Sequence, residues 1–351
     1  MSRAIIGNRR LVIPASRTLF GNSASAALNS WYARSFIAGR DGTVTTTRAT
    51  QRTNPIDGSL LGNNVPATAT ISLGGLPLTL YGCWGQRTNL FLNSGSPATQ
   101  NITVAIGSVC IYSRGSGFTF TTSAGTATAT GYAASVAPGT PNVLTVTVAG
   151  TITVTITGTP SGSVQVEQAA FPGPYIPTAG ASVTHNADLH TWAVPGGISG
   201  TGEMTSIHVP YLWSAAAGVQ QPSGTADRIW DATNALAIRF DTDSVQRQDS
   251  ALAVRSLAVT SQADASGSPR LQSHYWDTSI LSLYRSGNFS GSLTAATPPW
   301  LAPGTLYLGN RAAGDRSLSG FVGLVWTPNG LTPAERAALQ SLRPAQLAFA
   351  A

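Results

Sequence analysis

Carboxylates in the C-terminal half are the first side chains whose type and spacing could do chemistry. Five of them fall close together: Asp227, Asp231, Asp241, Asp243 and Asp249. Two carboxylates flanking a glycosidic bond are what a glycoside hydrolase requires. Asp241 and Asp243, at a predicted strand end, would instead suit Ca²⁺, which takes several oxygen ligands. Because Arg239 and Arg247 are near in sequence, ion pairing in a solvated loop is the interpretation we favour, and Ca²⁺ is the one cofactor considered.

Aromatic residues in the same half could stack on sugar rings. Trp300 follows two prolines in a predicted loop, whereas Trp230, Tyr275 and Trp276 lie in predicted strands. Tryptophan in a β-sandwich is more often a core residue, so core packing competes with sugar contact for all of these positions. These four residues are the candidate carbohydrate-binding side chains.

Motifs of the common enzyme classes are absent from the sequence. It has no G-x-S-x-G elbow, no H-E-x-x-H and no P-loop, and its four histidines lack the spacing of a metal site. The two cysteines, Cys83 and Cys110, fit no zinc or redox pattern, and we expect both to be buried. The sequence therefore predicts a protein that is not an enzyme and needs no cofactor.

The composition is poor in charge. Only 10% of residues are charged, whereas 42% are hydrophobic, and soluble domains typically carry about 25% charged residues. The surface must therefore consist of uncharged polar and small residues, as in a durable β protein or a component of an assembly. No run of about 18 apolar residues and no signal-like segment occurs, so we expect a soluble chain made in a cytosol, without a membrane span.

Positive charge is concentrated at the N-terminus. Residues 1–52 hold eight arginines and one acid, whereas the rest of the chain holds twelve arginines and thirteen acids. Such asymmetry points either to docking on an acidic protein or to an ordinary solvated face. Nucleic acid is not expected as a partner, because the arginines are scattered and few aromatics lie between them. The candidate docking residues are Arg3, Arg9, Arg10 and Arg17.

Alternating apolar and polar residues predict strands along most of the chain. Between Gly85 and Gln168 they form short runs separated by Gly, Pro and Ser about every ten residues, which is typical of a sandwich or jelly roll. Within them "TVTVAGTITVTIT" predicts a hairpin with Ala149 and Gly150 at its tip. A second β-rich half begins at Val183.

Two segments stand apart from this pattern. "LTPAERAALQSLRP" predicts a helix, with Thr332 as N-cap and Glu335 completing a capping box. "AFPGPYIPTAGASVTHNAD", residues 170–188, carries three prolines that exclude helix and central strand. We interpret it as a semi-rigid joint between two domains.

Several stretches resemble proteins of tailed bacteriophages. "GQRTNLFLNS" (Gly85 to Ser94) and "VQVEQAAFPGPYIPTAGASVTHNAD" are similar to lines of a carbohydrate-binding-module-like jelly roll in minor tail and fibre proteins, although His185 stands where that family has an arginine. "TTTRATQRTNPIDGSLLGNNVPA" is similar to the segment upstream of that jelly roll. "LYLGNRAAGDRSLSGFVGLVWTPNGLTPAERAAL" resembles the last strands and terminal helix of concanavalin A-like, laminin-G-like domains. The resemblance covers most of the chain from about Thr45 onward.

The predicted fold is all-β, with two sandwich or jelly-roll domains in tandem, an irregular N-terminal segment and one short C-terminal helix. The predicted boundaries are 1–50 for a basic virion-attachment segment, 51–169 for the jelly roll with its lead-in, 170–188 for the linker and 189–351 for the lectin-like domain.

The resemblance implies a structural protein of the virion, in a tail fibre or tail tip, that docks on other virion proteins, attaches to host-surface glycan and forms homo-oligomers, trimers by analogy. The alternatives are a capsid decoration or head-fibre protein and a polysaccharide depolymerase.

Overall fold

The structure is a computed structural model. It describes residues 22–198, 201–211, 228–232, 236–239, 245–248, 254–257, 270–277, 280–285, 288–294, 305–314, 317–342, 344 and 347. These residues are mostly strand, with two helices, so the all-β prediction is confirmed. No helix among them is both long and apolar enough to cross a bilayer.

The elements before residue 84 are one helix and six strands. They are α1 (Asn22–Arg34), β1 (Phe36–Ile37), β2 (Val44–Thr47), β3 (Arg52–Thr53), β4 (Leu60–Leu61), β5 (Thr68–Leu73) and β6 (Leu76–Cys83). The middle of the chain forms β7 (Arg87–Asn89), β8 (Gln100–Val104), β9 (Gly107–Ala124), β10 (Thr128–Thr130), β11 (Asn142–Val148), β12 (Gly150–Glu167) and β13 (Val183–His185).

The remaining described elements follow residue 188. They are β14 (Leu189–Trp192), β15 (Gly202–Pro210), β16 (Arg228–Asp231), β17 (Leu236–Arg239), β18 (Val245–Gln248), β19 (Val254–Leu257), β20 (Arg270–Trp276), β21 (Ile280–Arg285), β22 (Asn288–Thr294), β23 (Leu306–Leu308), β24 (Gly320–Pro328) and α2 (Pro333–Gln340).

Strand pairing divides the chain differently from the predicted boundaries. One sheet has the order β22-β21-β20-β15-β24-β6-β5, with β1 also on β24, and another has the order β19-β18-β17-β16-β23-β14-β2. Both sheets therefore combine strands from before residue 84 with strands from after residue 188. The middle strands form their own sheets, β10-β11-β9-β12-β8 and β13-β7. One sandwich is thus inserted into the other, and the two are not in tandem.

The outer unit, which we call the body, has three layers. Between its two large sheets lies a core that includes Trp192, Trp230, Trp276 and Trp326. The other face of the first sheet is covered by α1 and α2, where Trp31 is fully buried. Because both of its faces are covered, β24 is buried along almost its whole length rather than alternating.

The N-terminal segment is consequently part of the body from residue 22 onward. Leu28 and Trp31 of α1 are 1% and 0% exposed, and Arg34 pairs with Glu335 of α2. The predicted boundary at residue 50 is therefore wrong, because α1 and β2 belong to the body. The four candidate docking residues Arg3, Arg9, Arg10 and Arg17 lie outside the described residues.

The helix α2 forms as its sequence predicts. Thr332 accepts a hydrogen bond from the Glu335 N–H through its side chain, and Glu335 reaches back to the Thr332 N–H at 2.7 Å. This capping box satisfies donors that the first turn leaves without helical partners.

The inserted sandwich is built on two strands of 18 residues, β9 and β12, which pair over most of their length. Midway, their register shifts between Gly158 and Ser161. There Gly115 has φ +100°, and a Cβ on it would lie 2.0 Å from the Ser161 carbonyl oxygen. Only glycine can adopt this backbone conformation without a clash. The bend allows the two paired strands to fold over the core of the inserted sandwich.

The predicted hairpin at Ala149 and Gly150 is wrong. Strand β11 pairs with β9 and β10, whereas β12 pairs with β8 and β9. Alternation of Thr and Val identifies strands but does not select their partners.

The proline-rich segment closes the inserted sandwich rather than spacing two domains. Ile176 is 2% exposed; its N–H donates to Gln165 Oε1 at 2.7 Å and its carbonyl accepts from Asn89 Nδ2 at 2.8 Å. Phe171 is also buried, and its carbonyl accepts from Arg87 at 2.9 Å. The linker interpretation of 170–188 is therefore wrong, because proline excludes regular structure without excluding burial.

Candidate functional site

Two chain crossings join the body to the inserted sandwich, and they lie side by side. The Asp188 N–H donates to the Trp84 carbonyl at 2.9 Å, and the Trp84 N–H donates to Asp188 Oδ2 at 3.1 Å. Just beyond them β7 pairs with β13. We call these two crossings together the neck. Hydrogen bonds join the two segments where they leave the body, so their relative position is fixed.

A buried ionic cluster holds the neck, which we call the neck cluster: Arg48, Arg52, Trp84, His185 and Asp188. The Asp188 carboxylate lies 2.9 Å from Arg48 Nη1 and 3.3 Å from Arg52 Nη2, with all three side chains 0% exposed. The Arg52 guanidinium stacks on Trp84, with Cζ 4.1 Å from a ring centroid. Two arginines thus share one carboxylate.

The charges of this cluster shift the pKa values within it. Burial alone would raise the pKa of Asp188, but Arg52, His185, His190 and Arg48 outweigh it, so the pKa lies below its usual value. Burial, assisted by the nearby arginines, lowers the pKa of His185 to about 4. His185 is therefore neutral at pH 7, and the cluster carries a net positive charge.

The lowered pKa of His185 predicts a loss of stability in mild acid. The unfolded chain binds a proton at His185 near pH 6.5, whereas the folded protein resists it until about pH 4. Stability is complete above pH 6.5 and falls by about 2 kcal/mol between pH 7 and 4.5. Urea unfolding of wild type and His185→Gln at both pH values checks this, and equal pH slopes for the two proteins would contradict it.

Beside the neck, the inserted sandwich and the body enclose a cleft of about 200 Å³, which we call the junction cleft. Its walls come from the turn after β3, from the bend of β9 and β12, from the proline-rich segment and from the end of β15. The residues lining it are Thr53, Asn54, Pro55, Gly58, Arg114, Ser163, Pro174, Tyr175 and Tyr211.

The turn between β3 and β4 forms one wall. The Gly58 N–H donates to the Asn54 carbonyl at 2.8 Å, and Gly58 has φ +73°, as the Asp-Gly sequence predicts. Thr53 bonds to the Tyr175 carbonyl through both its N–H, at 2.9 Å, and its Oγ1, at 3.1 Å. The body wall and the sandwich wall are therefore hydrogen-bonded to each other at the rim.

Tyr175 supplies the aromatic surface of the cleft, and Tyr211 forms part of its floor. The Tyr175 hydroxyl is hydrogen-bonded to Ser94 Oγ at 2.7 Å, which fixes a half-buried ring. Tyr211 is 3% exposed and packs edge-on against Trp84, with centroids 6.1 Å apart at 88°. The floor of the cleft thereby continues into the neck cluster.

Arg114 is the charged residue of the cleft. Its Nη2 donates to the Gly173 carbonyl at 3.1 Å, and its Cζ lies 4.7 Å from the Tyr112 ring centroid and 5.7 Å from that of Tyr175. Its Nη1 is buried and has no hydrogen-bond partner among the described residues. A fixed cation with a spare donor beside aromatic rings can bind a polar ligand.

The candidate sugar-binding residues predicted from the sequence lie elsewhere. Trp230 and Trp276 are 0% and 2% exposed, and Trp276 stacks on Trp326 with centroids 4.9 Å apart. The prediction for these two is wrong, because a ring without exposed surface cannot stack on a sugar. Tyr275 is half-buried, donates to Asp277 Oδ2 at 3.1 Å and does not line the cleft.

The other predicted site residues, Trp300, Asp241 and Asp243, lie outside the described residues. In the part of the chain that the structure describes, no group of three His, Cys, Asp or Glu could hold a metal ion. Cys83 and Cys110 are free and buried, as expected.

Sequence reasoning missed Arg114, Tyr175 and Tyr211 as site residues. Arg114 stands before Gly115-Ser116-Gly117 in an otherwise alternating strand, and Tyr175 stands among prolines. Both are breaks in a regular pattern, which is the one local signal available. Nothing local indicates that these side chains meet.

No family model matches the chain, and no curated protein matches it. Among solved structures, it is similar to the receptor-binding domain of botulinum neurotoxin C/D mosaic serotype at 12% identity and TM-score 0.34, over 44% of this chain and 40% of that one. It is similar to the botulinum neurotoxin serotype D ligand-binding domain in complex with N-acetylneuraminic acid at 11% identity and TM-score 0.33, over 43% of this chain and 39% of that one.

A putative carbohydrate-binding protein from Bacteroides ovatus is similar at 11% identity and TM-score 0.23, over 72% of this chain and 84% of that one. The chain thus spans about 40% of the length of the toxin domains. At these identities and TM-scores the likeness carries no argument about what this chain binds.

Proposed function

We propose that this chain is a glycan-binding structural protein of a bacteriophage virion, placed in a tail fibre or tail tip, where it attaches the particle to the host surface. The observation that carries the binding role is the junction cleft, in which the half-buried ring of Tyr175 lies beside the donors of Arg114 and Asn54. Sugar sites combine aromatic faces with a few placed polar groups in this way.

The virion role rests on the resemblance of three sequence stretches to tailed-bacteriophage proteins and on the low charge of the chain. A coat of Thr, Ser and Gly over two closely joined sandwiches suits a particle component that must remain folded outside a cell. We propose that it acts by binding rather than by hydrolysis, with partners on the particle and homo-oligomers as in fibres. A label that appears on the head of purified particles would contradict the tail placement.

Docking to the particle is proposed for residues 1–21, which carry Arg3, Arg9, Arg10 and Arg17. Arg34 and Arg40 pair with Glu335 and Asp41 within the body, so their charges are already used. A truncation that tests docking should therefore end before Asn22, where α1 begins.

The binding role predicts that Tyr175→Ala weakens attachment to host polysaccharide about thirtyfold or more, because removing a central aromatic anchor typically costs ~2 kcal/mol or more. Binding of purified protein to a glycan array and to host lipopolysaccharide and capsule measures it. Val148→Ala is the matched control, since Val148 is 53% exposed and does not line the cleft. Equal binding by Tyr175→Ala and wild type would refute the role of the cleft, and sugar release from these polysaccharides would favour a depolymerase.

A further inference from the structure

The charge of the residues lining the junction cleft is of one sign. Of the nine described residues that line it, Arg114 is the only charged one, and none is acidic. Its uncharged polar side chains both donate and accept, whereas Arg114 can only donate. The cleft is therefore better matched to a ligand that brings its own negative charge.

Contacts with neighbouring residues fix the position of the Arg114 guanidinium, which could bind such a charge. One nitrogen, Nη2, is bound to the Gly173 carbonyl, and the flanking rings of Tyr112 and Tyr175 restrict its plane. The other, Nη1, is buried without a partner among the residues described. A buried donor left unpaired costs stability, and the guanidinium that carries it lines the cleft, where it can bind an anionic oxygen through a charge-assisted bond.

Charge behind the wall has the same sign. Glu167 lies among Arg87 and Arg114, so two guanidinium groups face one carboxylate. Arg52 lies against Trp84, which the cleft residue Tyr211 contacts. Arg52 also shares Asp188 with Arg48. Each cluster has one excess positive charge, and both charges favour an anion in the cleft.

The size of the cleft limits the ligand. The volume of about 200 Å³ lies below the ~300–1,000 Å³ of most small-molecule pockets. The cleft therefore admits one sugar ring and not several. The half-buried Tyr175 ring gives that sugar a face to lie against.

We infer that the junction cleft recognises an acidic sugar residue, a hexuronic acid within a host-surface polysaccharide, whose carboxylate binds the Arg114 guanidinium while its ring packs on Tyr175. This inference rests on the glycan-binding function proposed above. It narrows the ligand from glycans in general to polysaccharides that carry carboxylates.

The test compares two ligands that differ only at C6: methyl glucuronide, with a carboxylate, and methyl glucoside, with a hydroxymethyl group. Titration of the full chain, followed by NMR or calorimetry, should show that the glucuronide binds about 10- to 100-fold more tightly, as expected for a charge-assisted hydrogen bond. The preference should shrink as salt is raised. This comparison uses wild-type protein, so it does not depend on any variant folding.

A variant then assigns the preference to its residue. Arg114→Gln should bind both glycosides equally, whereas Arg40→Gln, an exposed arginine outside the cleft, should keep the wild-type preference. An unchanged preference in Arg114→Gln would overturn the assignment.

The outcomes separate this inference from the function on which it rests. If wild type binds both glycosides equally and Tyr175→Ala loses both, the glycan site stands and the acidic-sugar inference is wrong. If neither glycoside nor any arrayed glycan binds, the proposed function itself fails. If inorganic phosphate displaces the glucuronide at equal concentration, the cleft is an anion site without sugar recognition, and the inference is again wrong.

Discussion

Replacing Asp188 with asparagine should lower the free energy of unfolding by about 3–5 kcal/mol at pH 7, the cost of removing one partner from a buried ion pair. The substitution leaves Arg48 and Arg52 buried with no carboxylate between them. Because the pKa of Asp188 lies below its usual value, the stabilisation is present above about pH 4 and is lost as the pH falls further. Urea unfolding followed by tryptophan fluorescence measures the change.

Two further variants sharpen this test. Asp57→Asn is the control, since Asp57 lies in an exposed turn and binds only Ser59 and its neighbours, and it should unfold at the wild-type urea concentration. Adding Arg52→Met to Asp188→Asn should restore part of the lost stability, because it removes one uncompensated charge. A stability of Asp188→Asn within about 1 kcal/mol of wild type would show that the neck is not held by this cluster.

Replacing Glu203 with glutamine should destabilise the body by about 2–3 kcal/mol, because its carboxylate accepts several charge-assisted hydrogen bonds. Glu203 is fully buried on β15 and binds Arg336 of α2 through two bonds of 2.8 Å. It also accepts from Ser273 Oγ at 2.6 Å and from the Leu331 N–H at 3.0 Å. One carboxylate therefore fixes both the start of α2 and its distance from the sheet.

The matched control is an exposed ion pair of the same body. Arg40 and Asp41 are 33% and 29% exposed, so Asp41→Asn, which keeps an oxygen that can accept from the Ile37 N–H, should change stability by less than about 1 kcal/mol. Thermal unfolding of the two variants beside wild type compares buried with exposed pairing directly. Equal shifts for Glu203→Gln and Asp41→Asn would contradict the role assigned to Glu203.

Much of the local structure follows from the sequence because its causes are local. The capping box of Thr332 and Glu335 needs only four consecutive residues, and it forms as predicted. Alternating apolar and polar residues predict strands, as in β8 and β11. Cys83 and Cys110 fit no disulfide, zinc or redox pattern in the sequence, and both are buried as free cysteines.

The candidate site could not be predicted in the same way. Arg114, Tyr175 and Tyr211 reach one cleft because the middle of the chain folds as an insertion and returns to the body at Asp188. The choice of Trp230 and Trp276 failed for a related reason, since composition does not say which face of a strand meets the second sheet.

The amino-acid sequence alone determined that this is an all-β protein with one capped C-terminal helix, because periodicity and capping act within a few residues. Only the tertiary structure decided that β6 joins β24, that one sandwich is inserted into the other and that two arginines meet Asp188 in the neck. Those features depend on contacts between distant segments. Their stability comes from burying shared apolar surface, while pairing offsets the cost of the buried charges, and no local pattern of residues records either contact.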